Sequence, residues 1–580
     1  MQRILLLFFV AVLSIQSAAA DYPHEFLVTV RAQSQLSPPR LQFTWEEFGA
    51  SVNIYRIDPE QSTDLGPNVW GAPLAALPAG ASSWTDTTPV VGKRYEYRFE
   101  LVGGPNTLHP SVRNSVVLAG VDMAPQHQRG RLLLIVDDSL SSPLQAELLQ
   151  LQADLVGDGW RVTRQDLPSS ISARELKSAI STLYQESPSD TKALYLLGAL
   201  PIVKSGCIGP DGHDPRPQAT DSFYADLDGV WTDSAQLNCP LGNRPGDGRY
   251  DQFTVPSALE MGVGRVDFSN LPDYSETPTE LTRRYLEKAH RFRQHEFTPS
   301  QRSIIFNQGV SLTAAVNVIP VTGVWDILDM NLNTTPRPDL WQEMQSKSFL
   351  WLFKGGGGGM GDGMAQIGTT ASFAASPGVL VPFWGVLGSG NGYWEIGNAF
   401  GRGIIASRGA TLAFAWADRP VWRLHTLSGG QTWGDAMALT VNHTGKYWES
   451  LYLRPLQVNL MGDPALRISS VAPVASLRAA VAAQTVTLSW SAPAPDILGY
   501  YLYRAPTKDG PFVLLNQQAL TSTSYTDSAV SNGTHHYMLR AAKRELNGGG
   551  SYINLSQGRL TSVTVSGATS PQPPERLRMR

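Results

Sequence analysis

The sequence predicts a multidomain protein in which a central α/β unit with a mostly parallel sheet lies between two all-β sandwiches. Three observations carry that prediction. The chain has 580 residues, more than one hydrophobic core serves, and at about 150 residues per domain this length suggests three or four domains. Two blocks, 24–121 and 474–566, repeat the same order of short alternating strands separated by Pro, Gly and Asp turns. Between them, from 130 to 470, continuous apolar runs alternate with helically spaced segments, the pattern of strands buried on both faces under helices. With 42% apolar and 17% charged residues, 53 glycines and 40 prolines, the composition is globular and loop-rich rather than disordered or coiled-coil.

The first twenty residues, MQRILLLFFVAVLSIQSAAA, join a cationic start at Arg3, an apolar stretch from Ile4 to Leu13 and small residues at Ala18, Ala19 and Ala20. This predicts a signal peptide over 1–20, cut before Asp21, and a mature chain that is soluble and either secreted or held at the cell surface or in the periplasm. No later stretch approaches the roughly 18 apolar residues of a membrane span. Forty-six basic against fifty acidic residues leave a net charge of −4, which gives no electrostatic case for nucleic acid or an anionic membrane surface. Two cysteines, Cys207 and Cys239, in an oxidising compartment predict one disulfide, the alternative being two buried thiols.

The N-terminal block opens with LQFTWEEFGASVNIYRID, which places Trp45 on one strand and Tyr55-Arg56 at the end of the next; Trp84-Thr85-Asp86 and GKRYEYRFELV follow. The C-terminal block gives VTLSWSAPAPDILGYYLYRAP with Trp490 and Tyr503-Arg504, then Tyr525-Thr526-Asp527 and NGTHHYMLRAA. The two blocks resemble fibronectin type III domains in the tryptophan, the tyrosine and the alternating aromatic strand, and the resemblance implies a β-sandwich for each.

The central unit reads as a strand at RLLLIVDD, a helix at SPLQAELLQLQADLVGDGW, a strand at WRVTRQDL, a helix at SARELKSAISTLYQES and a strand at ALYLLGALP. Later come the helix LTRRYLEKAHRFRQHEF and the strands RSIIF, FLWLF, VLVPFWGVL and ATLAFAW. The tail 567–580 has no periodicity and reads as disordered. In such α/β units sites form at the carboxyl ends of the strands.

Several strand ends carry candidate chemistry. Asp226-Leu-Asp228-Gly with Asp233 has alternating carboxylates and a glycine turn that suit calcium, the alternative being a solvated acidic loop. WLFKGGGGGMGDGM runs into five glycines without the Gly-Lys-Ser/Thr of a nucleotide loop. VLVPFWGVLGSGNGYW puts Ser389 at a strand-to-helix turn, where a serine acts as a nucleophile only with a base in reach; His425 and His213 are the candidates. Trp384, Trp394, Trp416 and Trp422 lie near the same strand ends and either stack on a ligand or close the core.

LYLLGALP, FYADLDG followed by LEMGVGRVD, RRYLEKAHRFR, the glycine-rich strand end, SGNG before a helix and QVNLMGDPALRI occur in the order seen in gingipain-type cysteine peptidases of the caspase-like fold. The resemblance implies a caspase-like central domain, with the family histidine at the glycine-rich strand end and its cysteine at the later turn. In this chain those positions are Gly356 and Ser389, so both family catalytic residues are absent. The expected function is therefore a secreted, non-catalytic relative that binds an extracellular protein, peptide or glycan. The competing expectation is a hydrolase with a rearranged site using Ser389; a third is an architectural envelope component.

Overall fold

The computed structural model describes residues 30–45, 47, 49–62, 64–103, 114–209, 215–240, 242–307, 324–329, 340–355, 358, 361–364, 367–416, 422–447 and 453–566. The expected signal peptide, the tail 567–580, His213 and Gly356 lie outside the described residues.

The N-terminal block forms β1 (Arg31–Gln35), β2 (Arg40–Thr44), β3 (Ser51–Ile57), β4 (Ala75–Leu77), β5 (Ser83–Asp86), β6 (Arg94–Val102) and β7 (Asn114–Met123). Strands β1-β2-β5 make one sheet and β4-β3-β6-β7 run side by side in another. Alternation does the work: Leu41 and Phe43 of β2 point inward between exposed neighbours and meet Trp45, Tyr97 and Phe99. Asp86 fixes the strand ends by accepting from Tyr97 at 2.7 Å and from Arg56 at 2.6 Å.

The central unit contains β8 (Gly130–Asp137), β9 (Trp160–Leu167), β10 (Thr191–Leu197), a short pair β11 (Lys204–Ser205) and β12 (Gln218–Ala219), β13 (Gly262–Val266), β14 (Arg302–Asn307), β15 (Val324–Asp329) and β16 (Trp351–Gly355). After them come a second short pair, β17 (Gly363–Met364) and β18 (Gly368–Thr369), then β19 (Phe383–Leu387), β20 (Ala413–Trp416) and β21 (Leu460–Gly462). Its helices are α1 (Gln145–Gly157), α2 (Ala173–Gln185), α3 (Ser222–Ala225), α4 (Pro278–Arg293), α5 (Leu340–Ser346), α6 (Thr370–Ala375), α7 (Phe400–Ala406) and α8 (Trp433–Asn442). Local sequence sets the helix starts: Ser172 with Glu175 and Thr277 with Glu280 form capping boxes before α2 and α4, and Pro278 opens α4.

Ten strands form one sheet in the order β15-β14-β16-β19-β20-β21-β13-β10-β8-β9. All neighbours are parallel except β20 and β21, in agreement with the mostly parallel sheet expected from the apolar runs. The sheet is built from two halves with the same strand pattern: β9-β8-β10-β13 is repeated by β15-β14-β16-β19. In each half the second strand in sequence lies outside the first, so the order reverses beside the first strand. The seam is β21, parallel to β13 and antiparallel to β20.

The C-terminal block forms β22 (Leu477–Ala482), β23 (Thr485–Trp490), β24 (Ile497–Ala505), β25 (Val513–Leu514), β26 (Ser524–Asp527), β27 (Gly533–Asn547), β28 (Gly550–Leu555) and β29 (Arg559–Val565). Strands β22-β23-β26 repeat the three-strand sheet of the first block. The long β27 pairs with β29 along its first half and with β28 along its second. Strand β28 also pairs in parallel with β7, so the larger sheets of the two sandwiches are one continuous sheet. The spacing of the two blocks in sequence suggested separate flanking modules; the extra strand β28 joins them.

Both sandwiches are also docked on the central unit. Trp70 donates to the Lys446 carbonyl at 2.6 Å, and Tyr55, Ile57, Trp70 and Val116 pack with Tyr447. On the other side Val156 of α1 packs with Tyr503, Phe512 and Met538. A buried ionic network continues this contact: Arg293 of α4 bridges Asp158 at 2.9 Å and Asp463 at 2.7 Å, and Arg467 bonds both Asp158 and Asn554 of β28.

Candidate functional site

The candidate site lies where β16 and β19 end side by side, with Lys354 opposite Val386 and Gly355 opposite Leu387. Strand β16 runs into the glycine-rich segment, and β19 runs through Gly388 into the turn Ser389–Gly392. These two segments touch backbone to backbone. A Cβ on Gly358 would lie 2.4 Å from the carbonyl carbon of Gly388, and one on Gly388 would lie 2.5 Å from the Cα of Gly358. Gly361 has φ +101°, and a Cβ there would meet the Gly390 oxygen at 2.5 Å. At these positions the glycines serve close approach of one loop to the other.

The turn is fixed by buried groups. Trp416 donates to the Gly388 carbonyl at 3.0 Å and Gln218 to the Gly392 carbonyl at 3.2 Å. The buried Asn391 amide, with its nitrogen toward the glycine-rich segment, donates to Gly363 at 3.0 Å and Gly358 at 3.3 Å. Arg216 stacks on Tyr393, 3.9 Å from its ring centre. Ser389 itself is exposed.

His425 lies elsewhere. It is 0% exposed, and its Nε2 is 3.1 Å from Glu96 of β6, with the Tyr447 ring edge-on at 5.0 Å. Glu96 also accepts from Tyr447 at 2.6 Å and pairs with Lys446 at 2.7 Å. Burial raises the cost of the Glu96 charge, but bonds to His425 and the Lys446 ammonium hold its pKa down at about 2. Burial pushes the His425 imidazole down despite Glu96, so Lys446 is the cation that balances Glu96. The sequence offered His425 as a base for Ser389; the structure buries its ring and sets Nε2 against Glu96 of the N-terminal block.

The four tryptophans are core residues. Trp384 and Trp422 are 0% exposed and Trp394 and Trp416 are 3% exposed. Trp384 donates to Val381 at 2.9 Å and Trp422 to Trp416 at 2.8 Å. Their placement near strand ends reflects the need to close the sheet, and none presents a ring face for a ligand in this structure.

The acidic loop is organised by its own chain. Asp226 is fully buried and accepts from Gly229 N at 2.9 Å, Trp231 Nε1 at 2.9 Å and the Ser257 hydroxyl. Asp233 accepts from Gly246 N and Gly248 N at 2.8 Å each, while Asp228 is exposed. Among the described residues no group of three His, Cys, Asp or Glu converges as a metal site; Asp226 and Asp233 are engaged by backbone, indole and hydroxyl donors. Cys207 and Cys239 form the expected disulfide, with Cα atoms 5.6 Å apart.

Lys354 precedes the glycines at the end of β16. It is 2% exposed and donates to the Gly355 carbonyl at 2.7 Å, and burial pushes its amine down to about 7. A lysine inside an apolar strand is the signal that marks it.

No family profile matches the chain and no curated protein matches it. Among solved structures it is similar to the Arg-specific cysteine proteinase gingipain R, at 13% identity and TM-score 0.46 over 76% of this chain and 99% of that one. A complex of RgpB pro- and mature domains from Porphyromonas gingivalis is similar at 12% identity and TM-score 0.45, over 75% of this chain and 100% of that one. A Fn3-like protein from Clostridium thermocellum matches at 26% identity and TM-score 0.12 over 15% of this chain and 93% of that one. Among the described residues no helix is long and apolar enough to cross a membrane.

Proposed function

We propose that the protein is exported and binds an extracellular protein, peptide or glycan without cleaving it, on a gingipain-like α/β scaffold flanked by fibronectin type III-like sandwiches. One observation supports the reading above the others: the nearest histidine in sequence to the exposed Ser389 is His425, and its ring is buried against Glu96. A serine hydroxyl is a poor nucleophile unless a general base lies in reach, and burial against Glu96 takes that histidine out of solvent. The disulfide suits an oxidising compartment. The test is incubation of the mature chain with a mixed peptide library, beside Ser389→Ala. The reading expects intact peptides with both proteins; cleavage by the wild type that disappears in the variant overturns it.

A second reading, a hydrolase using Ser389, is favoured by Lys354. Its amine is neutralised near pH 7 and it sits on the strand beside the one that leads into Ser389. Serine hydrolases with a lysine base use such an amine. On this reading cleavage is lost in Lys354→Met as well as in Ser389→Ala.

A further inference from the structure

An open cleft of about 640 Å³ lies in the first half of the central unit, between α2 and the loop that follows α3. Its α2 wall is Arg174, Lys177, Ser178, Ser181, Thr182 and Gln185, positions spaced along a single helix face. That face carries two cations, three hydroxyls and an amide, with no carboxylate. The opposite wall is aromatic. Phe223 lies 4.7 Å from Tyr250 and 5.3 Å from Trp231, ring centre to ring centre.

The aromatic wall is held in place before any ligand arrives. Buried Asp226 accepts from Trp231 Nε1 and from Gly229 N, both at 2.9 Å, which fixes the loop and the indole together. Glu260 accepts from Leu227 N at 2.6 Å. Lys177 Nζ stands 4.4 Å from the Phe223 ring centre and 5.8 Å from that of Trp231, while Arg174 and Tyr250 both line the cleft. Both cations keep further donors free of these contacts by their chemistry, since an ammonium has three and a guanidinium five.

We propose that this cleft binds an acidic oligosaccharide, with the sugar face on Trp231 and the uronate carboxylate on Arg174 and Lys177. This deepens the binding half of the reading above by naming a site and a ligand class. An anion suits a wall that pairs two cations with neutral donors, beside the Asp226 and Glu260 carboxylates that act on Lys177 and the Asp233 carboxylate that acts on Arg174. A sugar suits the two walls together, because its C–H face packs on an aromatic ring while its hydroxyls exchange hydrogen bonds with Ser, Thr and Gln side chains. An acidic peptide would meet the two cations without a strand edge to pair its backbone, because the backbone of α2 is satisfied within the helix. The lining of α2 from 174 to 185 spans about 16 Å at the helical rise per residue, the length of an oligosaccharide rather than a single sugar.

The test is calorimetric titration of the mature full chain with hyaluronan tetrasaccharide, which carries glucuronate, beside neutral chitotetraose and a glutamate-rich peptide. The proposal expects binding of the hyaluronan fragment that weakens at 0.5 M salt and drops by about tenfold or more in Arg174→Gln, Lys177→Met and Trp231→Ala. Arg174 is exposed, so Arg174→Gln decides the matter even if Trp231→Ala disturbs the fold. Absence of hyaluronan binding, equal binding by chitotetraose, unchanged affinity in Arg174→Gln, or binding of the peptide alone overturns the proposal. Peptide cleavage that depends on Ser389 would overturn the non-catalytic reading and leave this site standing; failed uronate binding would remove this site and leave that reading standing.

Discussion

Replacing Glu96 by glutamine removes the anion bonded to Lys446, His425 and Tyr447, and leaves the Lys446 ammonium buried at 3% exposure beside a neutral amide. Breaking a buried pair from one side costs about 3–5 kcal/mol. The pH dependence gives a second measure of the same interaction. The carboxyl is held from 4.5 down to about 2, and at about 1.4 kcal/mol per pH unit this corresponds to about 3 kcal/mol. Because the folded value is depressed, that stability is present above about pH 4.5 and is lost as the pH falls toward about 2. Urea unfolding followed by tryptophan fluorescence at pH 7 and at steps down to pH 3 measures both quantities. Glu96→Gln should be less stable by about 3–5 kcal/mol at pH 7 and should lose less on acidification than the wild type. Glu96→Gln combined with Lys446→Met should recover part of the loss, since it removes the orphaned charge. A wild-type midpoint for Glu96→Gln at pH 7, or an identical acid slope, would refute the reasoning.

Other outcomes follow from the same contacts. Gly358→Ala and Gly388→Ala should each lower stability by about 1–3 kcal/mol, because the added Cβ meets backbone that cannot move aside; unchanged thermal midpoints would show that the two loops are not packed together. Trp384→Ala should cost about 3–5 kcal/mol as a core truncation, and a fully stable variant would return that ring to the list of surface groups. Asp226→Ala should destabilise by about 1–3 kcal/mol by leaving buried donors unpaired, while chelator should not move the wild-type midpoint; a midpoint that rises with added calcium would contradict this. Cys207→Ser with Cys239→Ser opens a link across a sequence separation of 32 and should cost about 3–4 kcal/mol on the chain-entropy model, measured by denaturation without reductant.

Elements with a strong local signature were legible in the sequence. The strand at Trp160–Leu167 matches the segment read as WRVTRQDL, and α2 starts at the Ser172 capping box. The apolar runs of β8 and β10 identified buried parallel strands because such strands need no polar face. What escaped was relational. Nothing in GSYINL announces that β28 joins the sheet of β7, since backbone pairing between positions as distant as Gly120 and Gly550 leaves no periodicity. Asp226, Trp422 and His425 stood out in the sequence as candidates for calcium, ligand stacking and base catalysis, but residue type does not tell whether a polar or aromatic group faces solvent or a partner. Asp226 turned out to hold Trp231, and His425 to hold Glu96, a residue 329 positions away. The cleft beside α2 was hidden for the same reason: its two walls come from separate segments, and the polar face of α2 reads in sequence as an ordinary solvated surface.

The central claim, that Ser389 is not an activated nucleophile, is tested most directly by treating the mature protein with a fluorophosphonate at pH 7 and pH 9 and measuring intact mass and the labelled peptide. The account predicts no adduct on Ser389 at either pH. A stoichiometric phosphonate on Ser389, lost in Lys354→Met, would contradict it and establish a serine–lysine hydrolase.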